Sequence, residues 1–474
     1  MNLQKPYVEP SGWKKSFLWL VLAVACFHAA YSSIKVPALG LFIFGYAYFL
    51  VRLTHQPTVR RGFYFGLATG FLCAAPQLFF FWKIFGPAAI VLWLVFAFWI
   101  GLFTAISCGC IRRWGTVKAA WLTPFIWTGL EYFRSELYYF KFSWLNIGYA
   151  LPAGFNFIGM YGVGFCVFFA AVAITYRRQF TPKISRLKVL PLLGLLLIVL
   201  ALLLPVFAKS ITKFQGLKSL SIAGVQLEFP PKSLLPHFLD RALAKNTNAP
   251  IFVLSEYTLD GPVPDSLKNW CREHSRYLVV GGEDPVGANN YYNTAFVIGT
   301  NGEVLFKQAK NVPIQFFKDG LPAPRQEVWN SPWGKIGFCI CYDLSYTRVT
   351  DRLVEEGAQL LIVPTMDVED WGRHEHELHS RVAPVRAAEY GVPIFRLASS
   401  GISQAVTGGG DVVAQTSMPG VGEILSADLR LPRSGSRPVD RFLVPFCVGM
   451  TGFILIALLI LAWKDGRMKP KIDS

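Results

Sequence analysis

Eight apolar runs, near residues 16–32, 36–53, 62–83, 87–110, 117–133, 155–176, 189–208 and 441–463, constrain this chain most. A membrane crossing needs about 20 largely apolar residues. Its backbone polar groups must be satisfied within the segment, so such runs predict helices. The expected architecture is a multi-spanning α-helical membrane domain of seven helices over residues 1–208, followed by a linker at 209–218. A domain outside the membrane then covers 219–430, a last transmembrane helix 441–463, and a basic cytoplasmic tail 464–474. Composition agrees: 53% of the 474 residues are hydrophobic and 16% are charged, too apolar for a water-soluble chain of this length.

The net charge of +16 would suit a nucleic-acid partner. The Lys and Arg are scattered over short loops with no basic face interleaved with aromatics, so nucleic acid is excluded as a partner. Their positions fit topology instead. Clusters stand before the first run (Lys14, Lys15), after the second (Arg52, Arg60, Arg61) and after the fourth (Arg112, Arg113, Lys118). Others follow the sixth (Arg177, Arg178, Lys183, Arg186, Lys188) and the eighth (Lys464, Arg467, Lys469, Lys471). The loops between carry little, for example Lys35 or Lys83 alone. Basic loops face the cytoplasm, so this alternation places residues 209–440 on its far side. Ala23-Val24-Ala25-Cys26 has a faint lipobox look; the alternation favours a retained span over a cleaved signal. The nine cysteines have no regular spacing, and the six in or beside the apolar runs are expected to be packing residues.

Between 219 and 430 the pattern changes. Short β-branched and apolar runs, at Ser219–Gln226, Ile251–Leu254, Tyr277–Val280, Thr294–Ile298, Gly334–Ile340, Gln359–Val363, Ile394–Ala398 and Val421–Ala427, read as strands. Pro264–Arg276, Thr347–Glu356 and Glu375–Tyr390 read as helices between them, which predicts an α/β layered domain. Three strand ends carry chemistry. Ile251-Phe252-Val253-Leu254-Ser255-Glu256 delivers a carboxylate able to take and return a proton. Phe306-Lys307-Gln308-Ala309-Lys310 offers two lysines beyond the hairpin at Asn301-Gly302; an ammonium there would stabilise an oxyanion and lower a neighbouring thiol's pKa. Gly337-Phe338-Cys339-Ile340-Cys341-Tyr342-Asp343 ends an apolar run in a thiol. Cys341, at the strand's end, is the nucleophile candidate, and Cys339 within the run is expected in the core. The two could instead pair or bind a metal, but a second pair of zinc ligands is missing nearby.

Glu, Lys and Cys in this order, each after a strand, resemble the nitrilase or carbon–nitrogen hydrolase superfamily over roughly 219–430. The resemblance implies a four-layer α-β-β-α sandwich and a Glu256, Lys310, Cys341 triad. Joined to seven upstream spans and one downstream, the chain resembles the apolipoprotein N-acyltransferase family. Phe142-Ser143-Trp144-Leu145-Asn146-Ile147-Gly148-Tyr149 is similar to that family's Pro-Trp-Leu-x-x-Gly-Tyr, and Glu131-x-x-Arg134 precedes it. Tyr292-Asn293-Thr294-Ala295, Arg386-Ala387-Ala388-Glu389 and Arg396-Leu397-Ala398-Ser399-Ser400-Gly401 match further family segments. Departures include Ser255-Glu256-Tyr257-Thr258 for Pro-Glu-x-Ala, and Cys341-Tyr342-Asp343 for Cys-Tyr-Glu. Aligning the lysine segment on Phe316 puts the catalytic lysine at Lys310 and leaves Lys318 where a supporting glutamate is expected, with Asp319 adjacent. Aligning it on Val312-Pro313 would put Gln308 at the lysine position; Lys307 is the other alternative.

The resemblance implies acyl transfer from a phospholipid, through a cysteine thioester, to the N-terminal amine of a diacylglyceryl-lipoprotein at a bacterial inner membrane, without metal or organic cofactor. Asp343, Trp144, Tyr149, His379, Arg386 and Glu389 are the expected supporting or substrate-binding residues. A membrane-tethered amidase or carbamoylase and a non-catalytic envelope scaffold are the alternatives. His374-Glu375-His376-Glu377-Leu378-His379 invites a metal reading but misses the His-Glu-x-x-His spacing by one residue. Gly408-Gly409-Gly410 lacks a following Lys-Ser/Thr and reads as a turn between strands.

Overall fold

A computed structural model describes residues 11–32, 36–180 and 218–467. The span expected near 189–208, most of the 209–218 linker and the end of the basic tail lie outside them. The chain divides into two compact units, one of residues 1–152, 158–201 and 439–474, the other of 153–157 and 202–438.

The first unit is helical. Among the described residues, three stretches are long and apolar enough to cross a membrane: Phe80–Trp114, Met160–Arg177 and Asp440–Gly466. Further apolar runs lie on the helices Trp13–Tyr31, Phe42–Leu53, Val59–Gln77 and Thr116–Tyr132. Gly62, Gly66 and Gly70 repeat at every fourth residue along one face of Val59–Gln77. A Cβ on Gly66 would stand 2.0 Å from Thr104 Oγ1, so only glycine lets this helix approach Ala89–Trp114. Thr104 uses the approach to donate to the Gly62 carbonyl at 2.8 Å. On Asp440–Arg467, Phe442, Phe446, Phe453, Ile456, Leu459, Ile460 and Trp463 are exposed, an apolar surface suited to lipid. At its start Asp440 Oδ2 accepts from the Tyr161 and Gly162 amides, capping helix Met160–Phe180.

Among its described residues the second unit contains twelve strands: β1 Ser219–Val225, β2 Ile251–Leu254, β3 Tyr277–Val286, β4 Asn290–Ile298, β5 Val304–Ala309, β6 Val328–Ser331, β7 Gly334–Phe338, β8 Leu360–Thr365, β9 Ile394–Ala398, β10 Gln404–Val406, β11 Val412–Gln415 and β12 Ile424–Arg430. They form two six-stranded sheets, ordered β12-β1-β2-β3-β4-β5 and β11-β10-β9-β8-β7-β6. Each is parallel in the middle (β1, β2, β3 and β7, β8, β9) and antiparallel towards its edges. Alternation sorts the side chains. Ile251, Val253 and Val279 face inward onto Ile336, Phe338, Leu360, Ile362 and Phe395 of the other sheet. Phe252, Leu254, Leu278 and Val280 face outward onto Leu235, Leu239, Leu267 and Trp270 of helices Leu235–Lys245 and Asp265–His274. Helices Thr347–Glu355 and Val382–Tyr390 pack on the second sheet, completing an α-β-β-α sandwich. Burial on both faces explains why β2 reads as an unbroken apolar run.

Four strands, β5, β6, β10 and β11, were not among those expected; they are short, and Leu305, Lys307, Val412 and Val413 are exposed on them. The helix expected over 375–390 is two, Arg373–Ser380 and Val382–Tyr390, with Arg381 between. Gly408-Gly409-Gly410 lies in the turn joining β10 to β11, with Gly410 at φ +90°.

Candidate active site

Glu256 follows β2, Lys310 follows β5 and Cys341 follows β7, so one residue from each of three strand ends meets in the interior. Lys310 Nζ lies 2.9 Å from Glu256 Oε1 and 2.8 Å from Asp319 Oδ2, and the lysine side chain has no exposure. Asn293 binds the two carboxylates together, donating to Glu256 Oε1 at 2.6 Å and to Asp319 Oδ1 at 2.9 Å. Tyr257 also donates to Asp319 Oδ1, at 2.7 Å. The other oxygen of Glu256, Oε2, accepts from the Met366 amide at 2.7 Å. Gly281 admits the Glu256 backbone closely: a Cβ there would stand 2.5 Å from the Glu256 Cα.

Cys341 has a φ of +50°, in the left-handed region that a side chain rarely adopts. It begins the 3₁₀ turn Cys341–Ser345 directly after the β7 run, a sharp strand-to-turn corner that projects the thiol. Its Sγ donates to the Met366 carbonyl at 3.8 Å. Asp343 locks the corner to the lysine segment. Its Oδ2 accepts from the Ile340 and Asn311 amides and its Oδ1 from Val312 at 2.7 Å. The shorter carboxylate of this Cys-Tyr-Asp therefore stands directly behind Lys310.

Charges follow from burial and pairing. Burial pushes Cys341 well up, Glu256 adding to it and Lys310 opposing it, so the resting thiol keeps its proton. Burial also raises Glu256 despite the Lys310 charge. Burial would lower Lys310, but Glu256 and Asp319 outweigh it and hold the ammonium charged. Asp319 is kept below the usual carboxylate range, the Lys310 ammonium overcoming its burial. Asp343 is pushed up to about 6 by burial, against the backbone amides and Lys310.

The two other lysine-segment candidates stand elsewhere. Lys307 is exposed and pairs with Asp284 at 2.9 Å. Gln308 is buried but donates to the Ala309 and Arg325 carbonyls, a structural role. Cys339 is buried in the core. Arg386 is buried beside Cys341's turn: it donates to the Leu344 and Ser345 carbonyls and pairs with Glu389 at 2.5 Å. Both therefore hold the turn from behind. His379 Nδ1 lies 2.7 Å from Asp367 Oδ1. Asp367 and Met366 after β8, and Arg396 paired with Asp367 at 2.5 Å, complete a cluster that residue types alone did not announce.

Cys341, Asp367 and His379, and separately Asp367, Glu375 and His376, bring possible metal-ligand atoms within 4.8 Å of one another. Their charge is already balanced. The Arg396 guanidinium contacts both Asp367 Oδ2 and, at 3.0 Å, His379 Nδ1. Burial opposes protonation of His376, yet Asp367 and Glu375 raise it to about 10. A divalent ion on Asp367 and His379 would have to displace the Arg396 guanidinium, so those two donors fit a charge network.

In the helical unit, Glu131 Oε1 accepts from the Ile147 amide at 3.0 Å, and Arg134 donates to Asn146 Oδ1 and to the Phe142 carbonyl. The two charges thus clamp the segment carrying Trp144, which is buried against Phe80 and Phe142; Tyr149 is buried as well.

The chain matches the carbon-nitrogen hydrolase family model over residues 223–437 and the apolipoprotein N-acyltransferase N-terminal domain model over residues 14–173. It is similar to omega-amidase NIT2 of Mus musculus, 28% identical over 116 residues, 22% of this chain and 42% of that one. Apolipoprotein N-acyltransferase of Bdellovibrio bacteriovorus is 26% identical over 210 residues, 39% of this chain and 37% of that one. The matches thus span about two fifths of the length of these two relatives. Apolipoprotein N-acyltransferase of Geobacter metallireducens is 23% identical over 416 residues, 75% of this chain and 79% of that one. On the two family models together, the chain belongs to the apolipoprotein N-acyltransferase family, as a membrane-bound member of the nitrilase superfamily.

Proposed function

We propose that the chain is an N-acyltransferase that moves a fatty acyl group from a phospholipid to the N-terminal amine of a diacylglyceryl-cysteine on a lipoprotein. Glu256 takes the Cys341 proton, and the thiolate attacks the ester carbonyl of the phospholipid. Lys310, held between Glu256 and Asp319, faces the oxyanion of the tetrahedral intermediate. The C–O bond breaks, the lysophospholipid oxygen takes the proton back from Glu256, and a thioester remains. The acceptor amine then attacks the thioester, Glu256 removes its proton, and the C–S bond breaks to regenerate the thiol. His379, Arg386, Glu389 and Asp343 support this machinery from behind. Trp144 and Tyr149 belong to the membrane portion that would receive lipid.

The observation that carries the reading is Lys310. A fully buried ammonium paired with two carboxylates is costly to assemble, and it stands beside a buried thiol at the end of a neighbouring strand, the setting of a catalytic group. The loop charges support a catalytic domain outside the cytoplasm, where a lipid-borne amine could compete with water. The test is intact-mass measurement of purified full-length protein mixed with phospholipid vesicles and no acceptor. An added acyl mass that maps to Cys341 and is absent from Cys341→Ala is expected. Wild-type protein that never acquires it, yet releases ammonia from small amides, would make the chain an amidase.

A further inference from the structure

We infer that His379 and Arg396 are positioning residues for the thiol, acting through Asp367 and the Met366 peptide. This rests on Cys341 being the nucleophile. Met366 serves both reacting groups through its two flanking peptides: its N–H donates to Glu256 Oε2 at 2.7 Å and its carbonyl receives the Cys341 thiol at 3.8 Å. That carbonyl shares a plane with the Asp367 N–H, so the hold on Asp367 sets where the thiol's acceptor stands.

Asp367 is held at every polar atom. Its amide donates to Ser399 Oγ at 3.0 Å, and its carbonyl accepts from Ser399 Oγ at 2.9 Å and from the Ser400 amide at 3.1 Å. Its Oδ1 faces His379 Nδ1 at 2.7 Å, and its Oδ2 takes Arg396 at 2.5 Å. Gly401 closes the remaining side, since a Cβ there would stand 2.2 Å from Asp367 Oδ2. Arg396 is anchored in turn to the Ile402 carbonyl at 2.5 Å. His379 and Asp367 come from a helix and a strand end, so the clamp ties helix Arg373–Ser380 to the ends of β8 and β9.

The clamp also carries charge towards the sulfur. Facing Cys341 are Glu256, Lys310, Asp319, Asp367 and His379; behind Asp367 stand Arg396, His376 and Glu375. The Asp367 carboxylate opposes thiolate formation, and its two donors temper that field. Weakening the His379 contact should free the Met366 peptide and expose the thiol to more of the Asp367 charge.

The experiment compares full-length His379→Leu and His379→Gln with wild type. Its readouts are the pH dependence of iodoacetamide alkylation of Cys341, read on the Cys341 peptide, and the kcat and KM of acylation. His379→Leu is expected to move the alkylation midpoint to higher pH and to lower kcat about tenfold to hundredfold with KM held within about twofold. His379→Gln, which keeps a donor, recovers part of both. Folded variants whose alkylation profile and kcat match wild type would overturn the inference. So would His379→Gln and His379→Leu being equally impaired, which would reduce the residue to packing. Should His379→Leu fail to fold, Arg396→Lys is read in the same way. Alkylation needs no lipid, so a failed positioning role is distinguishable from a failed acyl-transfer reading, which shows as a missing acyl adduct on wild type.

Discussion

Lys310 Nζ stands 2.8 Å from Asp319 Oδ2, and this contact supplies the second counter-charge of a lysine already paired with Glu256. The sequence segment is eroded at that point, with Lys318 where a carboxylate is expected. The structure turns the chain through Phe316, at φ +70°, and presents Asp319 instead. Two carboxylates thus share one buried ammonium beside the thiol.

Removing that ammonium should be severe. Lys310→Met strands two buried carboxylates, so we expect a loss of about 3–5 kcal/mol of stability and about 100- to 1,000-fold in acylation rate. Lys307→Met removes only the exposed pair with Asp284 and should change stability by less than about 1 kcal/mol. Thermal unfolding in detergent and the rate of acyl-adduct formation check both.

Asp319 contributes to the high pKa of Glu256, after burial itself. In Asp319→Asn the base should ionise at lower pH, moving the acid limb of the acylation profile downwards while the plateau falls. An acid limb that stays in place or moves upward would remove Asp319 from this role.

Asp343 sits near 6 in the fold against an ordinary value of 3.8. Between those values the native protein holds a proton that the unfolded chain has released. Its contribution to stability is therefore complete below pH 3.8 and is lost as pH rises to about 6. That difference amounts to about 3 kcal/mol. The gap in unfolding midpoint between wild type and Asp343→Asn should shrink over that window and stay flat above it, as a pH series of melts would show.

Arg386 and Glu389 act as a buried strut for the turn after Cys341. Arg386→Met removes the guanidinium that pairs with Glu389 and bonds two carbonyls, and should cost about 3–5 kcal/mol. Adding Glu389→Leu should return part of the stability without shifting the pH profile, as paired melting and rate measurements would reveal.

The parts legible in the sequence are those fixed by burial on two faces or by a turn. The β2 run into Glu256 and the β7 run into Cys341 announce themselves as apolar stretches ending in reactive groups, because the interior on both sides excludes polar residues. Edge strands such as β5 hide, since Leu305 and Lys307 look outward and blur the alternation. Lys307 and Lys310 differ by three residues and look alike as letters. Only the end of β5 decides that one meets Asp284 at the surface and the other turns inward. Asp319 was visible as a neighbour of the expected site, but its contact depends on backbone geometry. The Met366 contribution is invisible in principle, because its groups are an amide and a carbonyl that every residue type but proline carries.

Glu256 is supplied by one sheet and Cys341 by the other. Neither half of the sandwich can bring base and thiol together alone, so the constellation exists only once both sheets have closed on each other.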